Sequence, residues 1–170
     1  MIVAILTTGG TIEKTFDATD GSLRNVRSVL EDILSRMMLP SLRTRHFRVM
    51  SKDSLEMTEE DRRVICEATG KALPDHDAVV IVHGTDTLAV TGEHLCRHLA
   101  DLQKPVVLTG AMRPYEFRDT DAFQNVAEAL LACRVLGPGV YCVMHNQVLR
   151  FPGVEKDRVR MSMSGPAAVR

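Results

Sequence analysis

The chain has 170 residues, of which 45% are hydrophobic and 25% are charged, a composition typical of one globular domain and too apolar for a disordered protein. Lys and Arg total 21 against 22 Asp and Glu, so the formal net charge of -1 gives no field that would draw the protein to nucleic acid. The four cysteines form no CxxC pair, and the opening apolar run is too short for a signal peptide or a membrane span, so we expect a cytoplasmic protein that needs no metal, cofactor or membrane.

The first half of the chain alternates between strand and helix patterns. Residues 2–6 form a β-branched apolar run that predicts a buried strand, and a weaker strand is predicted near residues 46–50. Between them, helical spacing predicts an amphipathic helix whose apolar face is formed by Val26, Val29, Leu30, Ile33, Leu34 and Met37. The segment Thr58-Glu59-Glu60-Asp61 is typical of a capping box and predicts a helix that runs to Gly70 or slightly beyond.

The second half repeats the alternation. Strands are predicted at residues 78–82, 105–108 and 140–144, and helices at residues 88–102 and along the face formed by Ala122, Phe123, Val126, Ala127, Leu130 and Leu131. The order β-α-β-α-β-α-β-α-β predicts an α/β fold, a doubly wound open sheet that is mostly parallel, in a flavodoxin- or Rossmann-like three-layer arrangement. Residues 148–152 and the stretch to Arg170 predict a short carboxyl-terminal hairpin or arm.

Two loops rich in glycine and hydroxyl groups directly follow predicted strands. They are Thr7-Thr8-Gly9-Gly10-Thr11-Ile12 and His83-Gly84-Thr85-Asp86-Thr87. In an open parallel sheet, ligands bind beyond the carboxyl ends of the strands, so both loops are expected to face one cleft. A plain strand-ending turn also accounts for the glycines, and Thr87 is interpreted as the N-cap of the following helix.

Three motifs together identify a resemblance that covers the chain from Met1 to about Met161. Thr8-Gly9-Gly10-Thr11-Ile12, His83-Gly84-Thr85-Asp86-Thr87 and Thr109-Gly110-Ala111-Met112-Arg113-Pro114 resemble, in order and spacing, the signatures of bacterial-type L-asparaginases. The resemblance implies one asparaginase-like catalytic domain over residues 1–170, without the family's usual carboxyl-terminal domain. It also implies hydrolysis of L-asparagine to L-aspartate and ammonia through an acyl-enzyme, in a homodimer or homotetramer.

The resemblance also implies roles for particular residues. Thr11 matches the nucleophile, and Thr85, Asp86 and Lys156 match the family's second threonine with its acid and lysine. Ser54 is expected to hold the substrate's α-carboxylate and Asp86 its ammonium group. The remaining expected substrate contacts are Gly10, Asp53, Gly84 and Ala111, with backbone N–H groups of the glycine turns as oxyanion donors.

The sequence departs from the family pattern at two further points. The family's mobile loop carries a tyrosine that helps to activate the nucleophile, whereas residues 16–24 contain none; Thr15, Thr19, Ser22 and Tyr115 are the candidate substitutes. Leu55 stands where a glutamine often follows the binding serine, which predicts weaker substrate binding. Lys156 is either a base, if desolvation offsets the charge of Asp86, or an electrostatic anchor.

Other interpretations of the sequence remain open. The first glycine turn, with Lys14, is compatible with a nucleotide- or phosphate-binding module, although it matches neither glycine fingerprint. A non-hydrolytic relative that takes part in amide transfer to another macromolecule is a second alternative, and glutamine is an alternative substrate. His94 and His98 lie four apart but lack a third metal ligand, so we expect surface or capping roles, while His83 is expected to be structural and His145 stays ambiguous.

Overall fold

The computed structural model describes residues 1–24 and 28–167. In chain order, its strands are β1 (Ile2–Gly9), β2 (Thr15–Asp17), β3 (Ser22–Arg24), β4 (Arg43–Lys52), β5 (Ala78–Val82), β6 (Pro105–Thr109), β7 (Gly139–Met144), β8 (Gln147–Arg150), β9 (Glu155–Asp157) and β10 (Ser162–Ser164). Its α-helices are α1 (Leu30–Ser35), α2 (Glu59–Ala72), α3 (Leu88–His98) and α4 (Ala122–Val135).

Six of the strands form one sheet in the order β4-β1-β5-β6-β7-β8. The first five are parallel, and β8 pairs antiparallel with β7. Counting only the parallel strands in chain order, the arrangement is 2-1-3-4-5, as in flavodoxin-like folds, and the strand order reverses between β1 and β5. The predicted doubly wound, mostly parallel α/β sheet is confirmed, and its switch point lies between the two strands that precede the hydroxyl-rich loops.

Each face of the sheet is covered by its own apolar core, because neighbouring residues of a strand point to opposite sides. Val3 and Ile5 of β1 pack in the core that contains Leu30, Ile33 and Val126 of α1 and α4. Ala4 and Leu6 pack in the opposite core, whose buried side chains include Ile65 of α2 and Leu88 and Leu95 of α3. The chain is therefore a three-layer α/β structure.

The helix predictions are confirmed in position and corrected in length. The capping box is present in α2: Thr58 accepts from the backbone N–H of Asp61, whose carboxylate accepts from the N–H of Thr58. Helix α3 ends at His98 rather than at residue 102, and Asp101 adopts a left-handed φ of 51° in the turn that leads to β6. Leu131, which was predicted on the apolar face of α4, is 63% exposed, whereas the polar Asn125 is fully buried.

Helix α1 is shorter than its apolar pattern predicts. Val29, Leu30 and Ile33 are buried as expected, and Val26 lies outside the described residues. After Ser35 the backbone tightens, with N–H groups of Arg36 and Met37 bonded to carbonyls three residues back. Such bonds are those of a 3₁₀ turn, which explains why the α-helix stops while the apolar pattern continues.

The predicted carboxyl-terminal hairpin is confirmed, and it is more extensive than expected. Strands β7 and β8 are joined by His145 and Asn146, both with positive φ (55° and 59°), as a two-residue hairpin requires. Beyond them β9 and β10 form a separate antiparallel pair. No helix of the described residues is long and apolar enough to cross a bilayer.

The segment expected to be a mobile loop after β1 contains a short antiparallel hairpin, β2–β3. Its Phe16 N–H donates to Glu116 Oε2 at 2.6 Å, so the hairpin is fastened to the loop that follows β6. Phe16 itself is 59% exposed. Tyr115, one candidate for the missing tyrosine, packs its ring against Phe123 with 5.5 Å between centroids.

Candidate active site

The loop after β1 turns sharply at two glycines. Gly9 and Gly10 have φ of 100° and 88°, in the left-handed region that side chains other than glycine rarely adopt. Thr11 then opens a 3₁₀ turn that ends at Glu13. The Gly10 N–H donates to Lys52 O at 3.0 Å, so this group is not available as the oxyanion donor that the sequence suggested. Thr11 thus lies at the switch point of the sheet, in a turn closed by hydrogen bonds from the Glu13 N–H to Gly10 O and from the Lys14 N–H to Thr11 O.

The loops after β1 and β5 contact each other at glycine residues, and the loop after β4 joins them at Ser54. A Cβ on Gly10 would lie 2.3 Å from Gly84 Cα, and a Cβ on Gly84 would lie 2.6 Å from Ser54 Oγ. Real Cβ contacts this short do not occur, so both positions require glycine. This packing explains the glycine in each of the two motifs and brings Gly10, Gly84 and Ser54 together.

Thr85, Asp86 and Lys156 form one hydrogen-bonded group. Lys156 Nζ donates to Thr85 Oγ1 at 2.8 Å and to Asp86 Oδ1 at 3.0 Å. Thr85 is buried, and the Lys156 side chain is 13% exposed. Because Lys156 comes from β9, the carboxyl-terminal hairpin supplies the cation for the loop after β5.

Arg158 is a member of this group that the sequence did not reveal. Its Nη1 lies 3.1 Å from Asp86 Oδ1, on the same carboxylate oxygen as Lys156, although its side chain is 69% exposed. Lys156 and Arg158 are two residues apart, the spacing that puts side chains on one face of an extended segment. That alternation is the one signal in the sequence that could have pointed to Arg158.

Ser54 contributes a buried hydroxyl group that none of the described residues bonds. The residue is 1% exposed, and its Oγ has no hydrogen-bond partner among the residues that the structure describes. An unpaired buried hydroxyl is costly, and a bound polar ligand would satisfy it. The predicted N-cap position of Thr87 at the start of α3 is confirmed, but its hydroxyl makes no cap bond and donates to Ser54 O at 2.8 Å instead.

Asp53 and Ala111 lie at the site with their side chains directed elsewhere. Lys14 Nζ binds Asp53 Oδ2 at 2.7 Å, and this hydrogen bond, together with one from the Leu55 N–H, holds the pKa of Asp53 below its ordinary value despite the opposing effect of burial. The same contact occupies the lysine on which the phosphate-binding alternative depended. The Ala111 side chain is fully buried in the core, which leaves only its backbone for a ligand. Leu55, at the position often held by glutamine, is 66% exposed.

The buried ring of His83 connects the loop after β5 to helix α3. It is fully buried, with Nδ1 2.8 Å from Gly84 O and Nε2 2.9 Å from Thr91 Oγ1. Desolvation lowers the pKa of His83 to about 4, against a smaller opposing effect of its bond to Gly84. The expected structural role is consistent with these contacts, because a neutral ring donates to the carbonyl and accepts from the hydroxyl.

Glu13 is a second buried group that the sequence did not single out. It lies at the end of the turn that Thr11 opens and is 3% exposed, with Oε1 unpaired within the described part of the chain. Burial raises the pKa of Glu13, and hydrogen bonds from Ser28 and Gly9 and the charge of Arg48 only partly oppose this. The sequence does not predict this burial, because glutamate usually lies on the protein surface.

Of the surface or capping roles expected of His94 and His98, capping fits His98, whose ring bonds a carbonyl in the last turn of α3, whereas His94 is buried. His94 is 5% exposed and bonds Glu59 Oε1 at 2.6 Å through Nδ1. The two rings stack with 4.1 Å between centroids, and His98 Nδ1 lies 2.8 Å from His94 O. In residues 1–24 and 28–167, no cluster of three His, Cys, Asp or Glu side chains is suited to hold a metal ion.

Comparison with known proteins assigns most of the chain to one family. The profile of the family described as Asparaginase, N-terminal, matches residues 2–162. The chain is 35% identical over 108 residues to an L-asparaginase of Thermococcus kodakarensis, covering 64% of this chain and 33% of that protein. It is also 35% identical over 153 residues to a component of the glutamyl-tRNA(Gln) amidotransferase of the same organism, covering 85% of this chain and 33% of that protein.

The fold agrees with solved structures of similar proteins. The thermostable L-asparaginase from Thermococcus kodakarensis superposes with a TM-score of 0.89 at 27% identity, covering 97% of this chain and 51% of that one. The chain thus spans about a third of the length of these curated relatives and about half of the solved structure.

Proposed function

Because this chain belongs to the asparaginase family, we propose that it is an amidohydrolase that converts L-asparagine to L-aspartate and ammonia. Thr11 Oγ1 attacks the carbon of the side-chain amide, the C–N bond breaks with release of ammonia, and water hydrolyses the acyl-threonine. The observation that carries the proposal is the 2.8 Å contact between Lys156 Nζ and Thr85 Oγ1, next to the loop that bears Thr11.

In this proposal Thr85 and Lys156 move the protons. A threonine hydroxyl is a weak nucleophile until a neighbouring group accepts its proton, and the departing amine must gain one. Thr85 Oγ1, already bonded to Lys156, provides a path for both transfers. Asp86 holds Lys156 in place through the 3.0 Å ion pair and keeps its second oxygen for the ammonium group of the substrate.

Ser54 and the backbone complete the proposed substrate site. The buried hydroxyl of Ser54 is a donor for the α-carboxylate of asparagine, which would satisfy the Oγ that has no partner in the described residues. The oxyanion that forms on the amide oxygen would be bound by N–H groups of the Gly84–Thr85 turn, since the Gly10 N–H is already bonded to Lys52 O. Electrostatic stabilisation of this kind is typically the largest contribution to such a reaction.

Ammonia release from L-asparagine and L-glutamine tests the proposal. We expect Thr11→Val and Thr85→Val to lower the rate by at least about 100-fold, because loss of proton transfer alone typically costs 10²- to 10⁴-fold. Thr44→Val is a matched control, since Thr44 lies near the amino end of β4, away from the loops of the site. Near-normal rates in both site variants would refute the threonine mechanism.

The same assay addresses the choice of substrate. Glutamine has one more methylene group than asparagine, which changes binding by about 1–3 kcal/mol in an apolar pocket and thus the rate constant by about 10- to 200-fold. We propose asparagine because the matching family and the similar Thermococcus kodakarensis protein are both named for asparaginase activity. Equal rates with both amides would contradict this preference.

Amide transfer is a second candidate function, favoured by the likeness to a component of a glutamyl-tRNA(Gln) amidotransferase. In such a role, the ammonia released at Thr11 would serve a partner protein rather than escape to solvent. The isolated chain would then release ammonia slowly, and an added partner would raise the rate. Full activity of the isolated chain supports hydrolysis as the function.

The organisation of the protein is part of the proposal. We propose that residues 1–170 act as one catalytic domain and that another copy of the chain shields the cleft from water in a homodimer or homotetramer. Light scattering with and without L-aspartate measures this directly. A cytoplasmic location is proposed with it, because the four cysteines are free thiols in the structure.

A further inference from the structure

A second group of reactive side chains lies at the same edge of the sheet, beyond β6 and β7. Asp121 precedes α4, His145 follows β7, and Ser162 begins β10. His145 Nε2 lies 2.7 Å from Asp121 Oδ2, and His145 Nδ1 lies 3.2 Å from Ser162 Oγ. A carboxylate, an imidazole and a hydroxyl are therefore joined in one chain of hydrogen bonds.

The carboxylate of Asp121 is held in place and kept ionised. Burial acts to raise the pKa of Asp121, but hydrogen bonds from the Met112 N–H, His145 and the Arg113 N–H outweigh it and hold that pKa below its ordinary value. Asn125 Nδ2 donates to the same carboxylate at 2.8 Å. Because an ionised carboxylate only accepts hydrogen bonds, the proton of the neutral His145 ring lies on Nε2.

The proton on Nε2 leaves Nδ1 with a lone pair directed at Ser162. Gln147 Nε2 donates to Ser162 Oγ at 3.1 Å, so the serine oxygen already accepts a hydrogen bond and its own proton is free to point at His145. Asn125 fixes the backbone as well, since its Oδ1 accepts from the His145 N–H at 3.0 Å. The hydrogen bonds therefore run in the order of a nucleophile (Ser162), a base (His145) and an acid that orients the base (Asp121).

A cavity opens beside these residues. It has a volume of about 250 Å³ and is lined by Met112, Arg113, Asp121, His145, Arg160 and Met161. The thioethers provide an apolar wall. Arg113 and Arg160 each have an aspartate partner, at 2.8 Å and 3.8 Å, and a guanidinium has five N–H donors, which leaves donors for a carbonyl oxygen in the cavity. Ser162 does not line the cavity itself but directly follows Met161, which does, and a volume of this size can hold a small ester with a short acyl chain.

We propose that Ser162, His145 and Asp121 form a second hydrolytic site, which cleaves small carboxylic esters and is independent of the threonine site. Ser162 Oγ bonds to the carbonyl carbon of the ester as its proton passes to His145 Nδ1. The ester C–O bond then breaks, and the leaving alcohol takes that proton. Water then attacks the acyl-serine, with its proton passing to His145 and from there to Ser162 Oγ as the acid is released. Ester and water are therefore the only reactants.

The threonine site and the proposed serine site have no catalytic residue in common. Thr11, Thr85 and Lys156 belong to the loops after β1 and β5 and to β9, whereas the serine group uses the residue before α4, the end of β7 and the start of β10. Loss of the threonine nucleophile should therefore leave ester cleavage intact.

The test uses the whole chain with p-nitrophenyl acetate and a biotinylated fluorophosphonate, a reagent that phosphonylates activated serines. The wild type should hydrolyse the ester and carry the phosphonate on the peptide that contains Ser162. Ser162→Ala should lose labelling and at least about 100-fold of the ester rate, and His145→Gln should lose a similar factor. Ser164→Ala, an exposed serine on the same strand, is the matched control and should behave as the wild type.

Labelling of the wild type decides the proposal even if a variant folds poorly. No phosphonate on the Ser162 peptide, or labelling at Thr11 or Thr85 instead, overturns it. An ester rate that survives Ser162→Ala also overturns it, because the hydrolysis would then arise elsewhere. Ester cleavage that persists in Thr11→Val, together with label on Ser162, establishes two separate sites.

Discussion

Replacement of Gly84 by alanine tests the packing of three loops on which the proposed site depends. The added Cβ would lie 2.6 Å from Ser54 Oγ, 2.7 Å from Ser54 Cβ and 3.2 Å from Gly10 Cα. Two of these neighbours are backbone or the rigid base of a side chain, so the loops must separate. Overpacking of this kind costs about 1–3 kcal/mol of unfolding free energy, which in a chain of this size lowers Tm by roughly 2–12 °C.

Activity should fall further than stability in this variant. Separation of the loops displaces Ser54 and the turn that bears Thr11, and a misplacement of about 1 Å can cost about 100-fold in rate. We would measure Tm by calorimetry and ammonia release below the Tm of the variant. Gly137→Ala is the control, because a Cβ at Gly137 meets nothing within 4 Å and should change stability by less than about 0.5 kcal/mol.

The reasoning is refuted if Gly84→Ala has the same Tm and the same rate of ammonia release as the wild type. That result would mean that the loops are not held in the close contact described. Equal losses in the Gly84 and Gly137 variants would also refute it, because the effect would then follow from glycine replacement in general.

Three further predictions concern charge, protonation and substrate binding. Lys156→Met should lower ammonia release at least about 100-fold through loss of its bond to Thr85, while Lys71→Met, on the exposed side of α2, should not. His83 has its folded-state pKa lowered from 6.5 to about 4, so the unfolded chain binds the proton more readily. Stability present above about pH 6.5 should therefore fall as the pH drops toward 4, by about 3 kcal/mol in total, and urea unfolding of His83→Gln should lack this component. Leu55→Gln should lower KM for L-asparagine about tenfold by adding a hydrogen bond to a charged group, and an unchanged KM would count against Ser54–Leu55 as the carboxylate site.

The sequence contained most of what determines the sheet. Apolar runs identified the five parallel strands, and their alternation with helical patterns indicated a doubly wound sheet, whereas the strand order came from the structure. These features are local in the chain or follow from the handedness of β-α-β connections, which is why a single sequence reveals them. The length of α3 was overestimated, because the apolar Leu99 and Leu102 continue the helical pattern past the last helical bond.

The parts of the site that the sequence did not reveal depend on distant contacts. Arg158 reaches Asp86 from the turn after β9, and apart from its two-residue spacing from Lys156 nothing near either residue encodes the pairing. The buried Asn125 ties Asp121 to His145 through hydrogen bonds that join α4 to the end of β7. Hydrogen bonds between side chains that are distant in the chain leave no periodic pattern in the sequence, so they are seen only in the folded structure.

Trapping of the acyl-enzyme is the most direct test of the central claim that Thr11 is the nucleophile. Wild-type protein would be mixed with L-asparagine, quenched in acid within milliseconds, digested and analysed by mass spectrometry, with Thr11→Val as the control. We predict an aspartyl group on the peptide that contains Thr11 and none in the control. An aspartyl group on the Thr85 peptide, or an unmodified Thr11 peptide during rapid turnover, would contradict the account.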